Sequence, residues 1–198
     1  MKILKATIYT LLFALPFLTS CSNKSSVGAE SGSDSLTEKQ TSLINEGWAI
    51  PQNKPSGELP RTYGVTPRYG QQDNYFDIRI GSGCDVAIKI MDIKNNSCIR
   101  YCIVPENTTI TINQIPQGKY YLKLAYGKDW MEQDQPDGTI LGKFTKNTIY
   151  EKSVDVFDFG KKNSQSFVNY TLDINVINNS LEQNFTTTEI SESEFERN

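Results

Sequence analysis

From Tyr75 onward the apolar positions fall on every second residue. In Tyr75–Ile80, YFDIRI, Phe76, Ile78 and Ile80 share one side and Asp77 and Arg79 the other, the pattern of a half-buried strand. Val86, Ile88 and Ile90 repeat it against Ala87, Lys89 and Met91, and Asn95-Asn96 supplies a two-residue turn, because asparagine tolerates the left-handed backbone. A hairpin is therefore predicted. Closing on that turn sets Lys94 opposite Ser97, Ile93 opposite Cys98, Met91 opposite Arg100 and Ile88 opposite Ile103. Its core side would hold Val86, Ile88, Ile90, Ile99, Tyr101 and Ile103, with Cys98 and Cys102 on the other side. Four strand positions separate those two cysteines, about 13 Å, so they cannot bridge to each other.

Thr108–Gln114 alternates again, and Ile115-Pro116-Gln117-Gly118 turns the chain into a strand with Tyr120, Leu122, Leu124 and Tyr126 on one side. KDWMEQDQPDG reads as a loop. After it come a strand through Val154, Val156 and Asp158 against Asp155, Phe157 and Phe159, and another through Tyr170, Leu172, Ile174 and Val176. About seven short strands separated by turn signals predict an all-β fold, an antiparallel β-sandwich spanning residues 61–178. Before it, Thr37-Glu38-Lys39-Gln40 fits a capping box for a short helix carrying Leu43 and Ile44, and Pro51, Pro55 and Pro60 impose an extended lead-in. Residues 179–198 read as a polar tail, in which Ser191–Glu194 could cap a terminal helix before Phe195.

The Ile-Pro-x-Gly-x-Tyr-x-Leu run from Ile115 to Leu122 resembles the hairpin of carboxypeptidase-regulatory-like, or prealbumin-like, β-sandwich modules. The stretch Cys84–Trp130 is similar to uncharacterised Bacteroidota lipoproteins that share it. The resemblance implies a sandwich and says little of function, since such modules serve adhesion, chaperone-like or spacer roles.

At the other end, Lys2 and Lys5 precede an apolar run, Ala6–Leu18, of signal-peptide length. It falls short of the roughly 20 apolar residues that a membrane-spanning helix needs. Leu18-Thr19-Ser20-Cys21 resembles the lipobox of bacterial lipoproteins, which implies a signal peptide over 1–20 and a lipid-carrying Cys21 as the first mature residue. One acyl chain anchors only marginally, whereas two or more hold stably. Ser22 resembles the outer-membrane sorting residue, and no acidic surface-export run follows, so the expectation is an outer-membrane anchor facing the periplasm. Residues 21–60 are read as a flexible tether, serine- and glycine-rich at its start. Within it Asp34-Ser35-Leu36 resembles the Bacteroidota O-glycosylation acceptor, with Ser35 the modified residue; a chance tripeptide is the other reading.

Composition narrows the chemistry. Histidine is absent from the 198 residues, which removes the commonest general base near neutrality, the orienter of serine and cysteine nucleophiles, and the commonest zinc ligand. Lys+Arg 20 against Asp+Glu 23 leaves no basic block for nucleic acid. Cys84, Cys98 and Cys102 form no CxxC and are expected to be free thiols. The acidic stretch Asp129, Glu132, Asp134 and Asp137 around Trp130 reads either as a solvated loop, with Trp130 plugging the end of the sandwich, or as a site where carboxylates bind calcium and an exposed tryptophan stacks on a sugar. Its spacing does not match a calcium loop, so neither metal nor cofactor is expected. Asp155 and Asp158 fall on opposite strand parities and form no catalytic pair. The expectation is a non-catalytic binding or structural module of the cell envelope, membrane-held through Cys21, with an envelope protein or a glycan as partner. A carbohydrate-binding lipoprotein using Trp130 is the alternative.

Overall fold

The computed structural model describes residues 36–160, 167–177 and 180–198. In chain order these form α1 (Glu38–Asn45), β1 (Gly57–Glu58), a 3-10 turn (Arg61–Tyr63), β2 (Tyr75–Ile80), β3 (Asp85–Asp92), β4 (Ser97–Val104) and β5 (Thr108–Asn113). There follow β6 (Lys119–Asp134), β7 (Ile140–Ser153), β8 (Phe157–Asp158), β9 (Tyr170–Ile177), β10 (Ser180–Gln183), β11 (Thr187–Glu189) and α2 (Glu192–Glu196). One sheet runs β1-β4-β3-β6-β7-β11, with β8 against the start of β6; the other runs β10-β9-β2-β5. The fold is an all-β sandwich.

The strands with the cleanest alternation behave as their pattern dictates. Phe76, Ile78 and Ile80 of β2 and Leu172 and Ile174 of β9 point into the layer between the sheets. There they meet Val86, Ile88, Ile90, Leu122, Leu124, Phe157 and Phe159. Each such side chain contributes about 1.5–3 kcal/mol on burial. All pairings are antiparallel except β2 with β9, which run parallel.

β3 and β4 are buried on both faces. The larger sheet carries a second core on its outer side, where Ala87, Met91, Tyr101, Ile103 and Ala125 are covered by Leu59, Tyr63, Val65 and Phe195. The hairpin register therefore differs from the expected one. Its loop is longer, so that Asp92 rather than Lys94 faces Ser97 and Met91 faces Cys98. A bulge beside Ile90 and Met91 then leaves Ile90 opposite Arg100 and Ile88 opposite Cys102. An extra residue reverses the parity of everything beyond it. Hence Cys102 and Val104 enter the inter-sheet core, and Tyr101 and Ile103 turn to the outer one.

Three expectations are corrected. KDWMEQDQPDG is not a loop: β6 continues to Asp134, and β7, unread in the sequence, pairs with it back to Lys152. Residues 154–159 hold only the two-residue strand β8. The stretches 36–60 and 180–198 belong to the folded unit, adding α1, β1, β10, β11 and α2 to it. The capping box at Thr37 and Gln40 is present, and Ala49 bridges Glu132 through reciprocal backbone bonds of 2.7 and 2.8 Å.

Candidate functional site

Cys21 and Ser35 lie outside the described residues. The residues expected around Trp130 are described, and the strand that carries them separates them. Trp130 is only 3% exposed; its ring stands edge-on to Phe144, centroids 4.9 Å apart, with Gly142 of β7 beneath it. A Cβ at Gly142 would lie 2.1 Å from the indole, so the glycine is what admits the ring. The indole N–H donates to Glu132 Oε1 at 2.9 Å, and the Tyr63 hydroxyl donates to the same oxygen at 2.5 Å. Glu132 thereby ties β6 to the 3-10 turn. Burial, and then this hydrogen bond, push the Tyr63 phenol well above its ordinary range.

The other carboxylates do not join it. Asp137 caps its own turn, accepting from the Thr139 N–H at 2.9 Å and hydroxyl at 2.7 Å, and these bonds hold its carboxyl below the ordinary range. Asp134 is solvent-exposed opposite Ile140. Asp129 sits at positive φ, 58°, beside a recess of about 180 Å³ shared with Ile50, Pro51 and Lys54, to which Trp130 lends only an edge. Among the described residues, no group of three acidic or cysteine side chains is placed to hold a metal. Trp130 is a buried packing residue, so the alternative of an exposed stacking platform does not match its position.

A cavity of about 560 Å³ opens elsewhere, at one end of the sandwich between the two sheets. Beside it lies a backbone irregularity. The β6–β7 register shifts between Tyr126 and Lys128, Gly127 packs against Phe144, and Asn147 adopts φ 52°. Such irregularities bend a strand pair. The gap is lined by Cys84, Tyr126, Asn147, Ile149, Val176 and Leu181. The Tyr126 hydroxyl reaches Glu151 Oε2 at 3.1 Å and Gln183 Oε1 at 2.9 Å. Sequence reading missed this site because four strands and the β2–β3 loop contribute one or two residues each.

The thiols are buried and free. Burial raises Cys84 and Cys98 to about 11 and Cys102 beyond that, which makes all three poor nucleophiles near neutrality.

Beneath α2 lie two lysines directly opposite each other, Lys89 on β3 and Lys123 on β6. Lys89 Nζ donates to the carbonyls of Phe195 (3.0 Å) and Glu196 (3.1 Å), and Lys123 Nζ to those of Glu194 and Arg197 (2.6 Å each). Ammonium groups thus meet the carbonyl end of the helix, where its dipole is negative. Burial lowers Lys89 to about 8 and lowers Lys123 as well. The signal was available: a lysine inside AIKIM and another inside LKLAY interrupt strands that are apolar on both faces.

Comparison with protein-family models, curated proteins and solved structures returned no match. Neither the Ile115–Leu122 motif nor the Leu18–Cys21 lipobox gains a named relative from it.

Proposed function

We propose that this protein is a lipid-anchored module of the cell envelope whose β-sandwich binds or supports another envelope component and carries out no chemistry of its own. The observation that carries the reading is Leu18-Thr19-Ser20-Cys21 directly after the Lys2/Lys5 and Ala6–Leu18 pattern. The serine- and glycine-rich composition that follows Cys21 supports a tether there. Ser22 favours the outer membrane, and the lack of an acidic export run favours its periplasmic side.

The non-catalytic part is supported by the use to which the polar groups are put. Glu132 holds Tyr63 and Trp130, Asp137 holds Thr139, and the three thiols are kept protonated by burial. General acid–base work needs a group near its working pH and within reach of substrate. A carbohydrate reading finds less support, because the Trp130 ring is packed against Phe144.

The test is intact mass and membrane fractionation of the natively expressed protein beside Cys21→Ser. Membrane-bound wild type whose mass begins at an acylated Cys21, with an unprocessed or released variant, is the expected result. A soluble, unacylated wild type would overturn it.

A further inference from the structure

We propose that the cavity at the open end of the sandwich is a binding site for a short aliphatic chain ending in a hydrogen-bond donor, an amine before an alcohol. This deepens the binding part of the reading above by naming a ligand class. It is independent of the anchor.

The walls make the aliphatic half of the case. Ile149 is 47% exposed, an unusual state for an isoleucine in a strand whose neighbours are paired, and it faces the same gap as the half-buried Val176 and Leu181. The volume of about 560 Å³ lies within the range of roughly 300–1,000 Å³ typical of small-molecule sites. The gap lies beside a backbone irregularity, the β6–β7 register shift at Gly127 and the left-handed Asn147.

The polar end sets the head group. Glu151 does not itself line the cavity but sits behind the lining Tyr126, accepting from its hydroxyl at 3.1 Å and, at 3.3 Å, from the Gln183 amide, and a carboxylate keeps further lone pairs free for a donor. The cations on the far side are engaged: Lys128 binds Glu106 at 2.9 Å and Lys54 binds Asp85. An anionic head would therefore meet Glu151, and the paired Lys128 and Lys54 would not be free to offset it. An ammonium would gain a charge-assisted bond.

Cys84, at the floor and 7% exposed, reports occupancy. The experiment uses the full chain carrying Cys21→Ser, so that the fate of residue 21 does not enter. n-Octylamine, n-octanol and octanoate are titrated by calorimetry. In parallel, methyl methanethiosulfonate modification of each cysteine is followed by peptide mass at about pH 9, where enough Cys84 thiolate forms. Octylamine is expected to bind most tightly and octanoate least, and octylamine at ten times its Kd should slow Cys84 modification ~10-fold. Ile149→Arg, at a half-exposed position that tolerates change, should abolish that protection, and Glu151→Gln should erase the preference for the amine. Leu181→Arg, checked for retained circular dichroism, serves as a second blocking variant. Octanoate binding as tightly as octylamine would overturn the head-group assignment. Lack of binding by all three probes, or protection that survives both blocking variants, would overturn the site. The mass experiment on the anchor is unaffected by either result.

Discussion

Removing the ring of Phe195 should release α2. A five-residue helix has no stability of its own, so it persists only while docked. Phe195 is 2% exposed and lies between Tyr101, centroids 6.3 Å away, and Tyr150, 5.6 Å away, with Lys89 Nζ 4.8 Å above its ring. Burying such a ring stabilises by about 1.5–3 kcal/mol, and each aromatic contact adds about 0.5–1.5 kcal/mol. Phe195→Ala should therefore weaken docking by about 3 kcal/mol, roughly a hundredfold in the docked-to-free ratio. The four lysine–carbonyl bonds are made in wild type and variant alike, so they do not offset the loss of the ring. Native-state hydrogen exchange reads this directly. The Ile190 and Phe195 amides, bonded to Tyr150 and Ser191 carbonyls at 3.0 Å, should exchange roughly a hundredfold faster, while the β3 amides change little. Exchange at Ile190 and Phe195 within about threefold of wild type would refute the account of α2 as a helix held by one ring.

Docking should also depend on pH. Lys89 titrates at about 8 in the folded protein and near 10.5 when released, so the released state binds more protons between those values. Stability from this group is therefore present above the released value and lost as pH falls through about 8. Lys123 acts in the same direction, whereas the buried Tyr101 and Tyr150 oppose it once phenols begin to ionise near pH 10; thermal melts between pH 8 and about 9.5 should show rising stability. Gly142→Ala drives a methyl into the Trp130 ring and should cost about 1–3 kcal/mol, seen in urea melts together with altered tryptophan fluorescence. Glu132→Ala leaves the Tyr63 hydroxyl and the Trp130 indole without their acceptor and should cost about 1–3 kcal/mol, whereas Glu132→Gln should lose less. Arg100, fully buried, stacks over Tyr69 at 3.8 Å and bonds the carbonyls of Arg68 and Ile99; Arg100→Lys cannot reproduce that fork and should raise protease sensitivity across residues 58–72.

How legible these features were in the chain depended on how many faces of a strand are covered. β2 and β9 have one buried face, so Phe76, Ile78 and Ile80, and Leu172 and Ile174, announce it by strict alternation. β3 and β4 are covered on both sides, so period two carries no direction, and the bulge beside Met91 shifted the expected partners unseen. β7 escaped notice because Phe144 and Tyr150 serve the outer core while the bend at Asn147 breaks the count between them. The acidic residues of β6 looked like a loop because Trp130 and Met131 are both buried, which no single-faced strand pattern provides. The tail looked polar because its docking rests on one ring and on backbone carbonyls, and a carbonyl leaves no mark in a sequence. The end cavity was illegible because its lining is drawn one or two residues at a time from four strands and a loop.

The parallel pairing of β2 with β9 also orders events in time. Tyr75 reaches Asn169 across 94 positions, and Lys89 reaches Glu196 across 107. Neither the smaller sheet nor the outer core can be completed until nearly the whole chain is available, and contacts this distant in sequence make folding slow. During that interval the apolar face of β2 has only β5 beside it, with an open strand edge of the kind that recruits other chains. A chain interrupted before Tyr170 should therefore aggregate or be degraded rather than persist as a smaller domain. Completion of the fold therefore waits on the segment from Tyr170 to Glu196, the last part of the sandwich to become available.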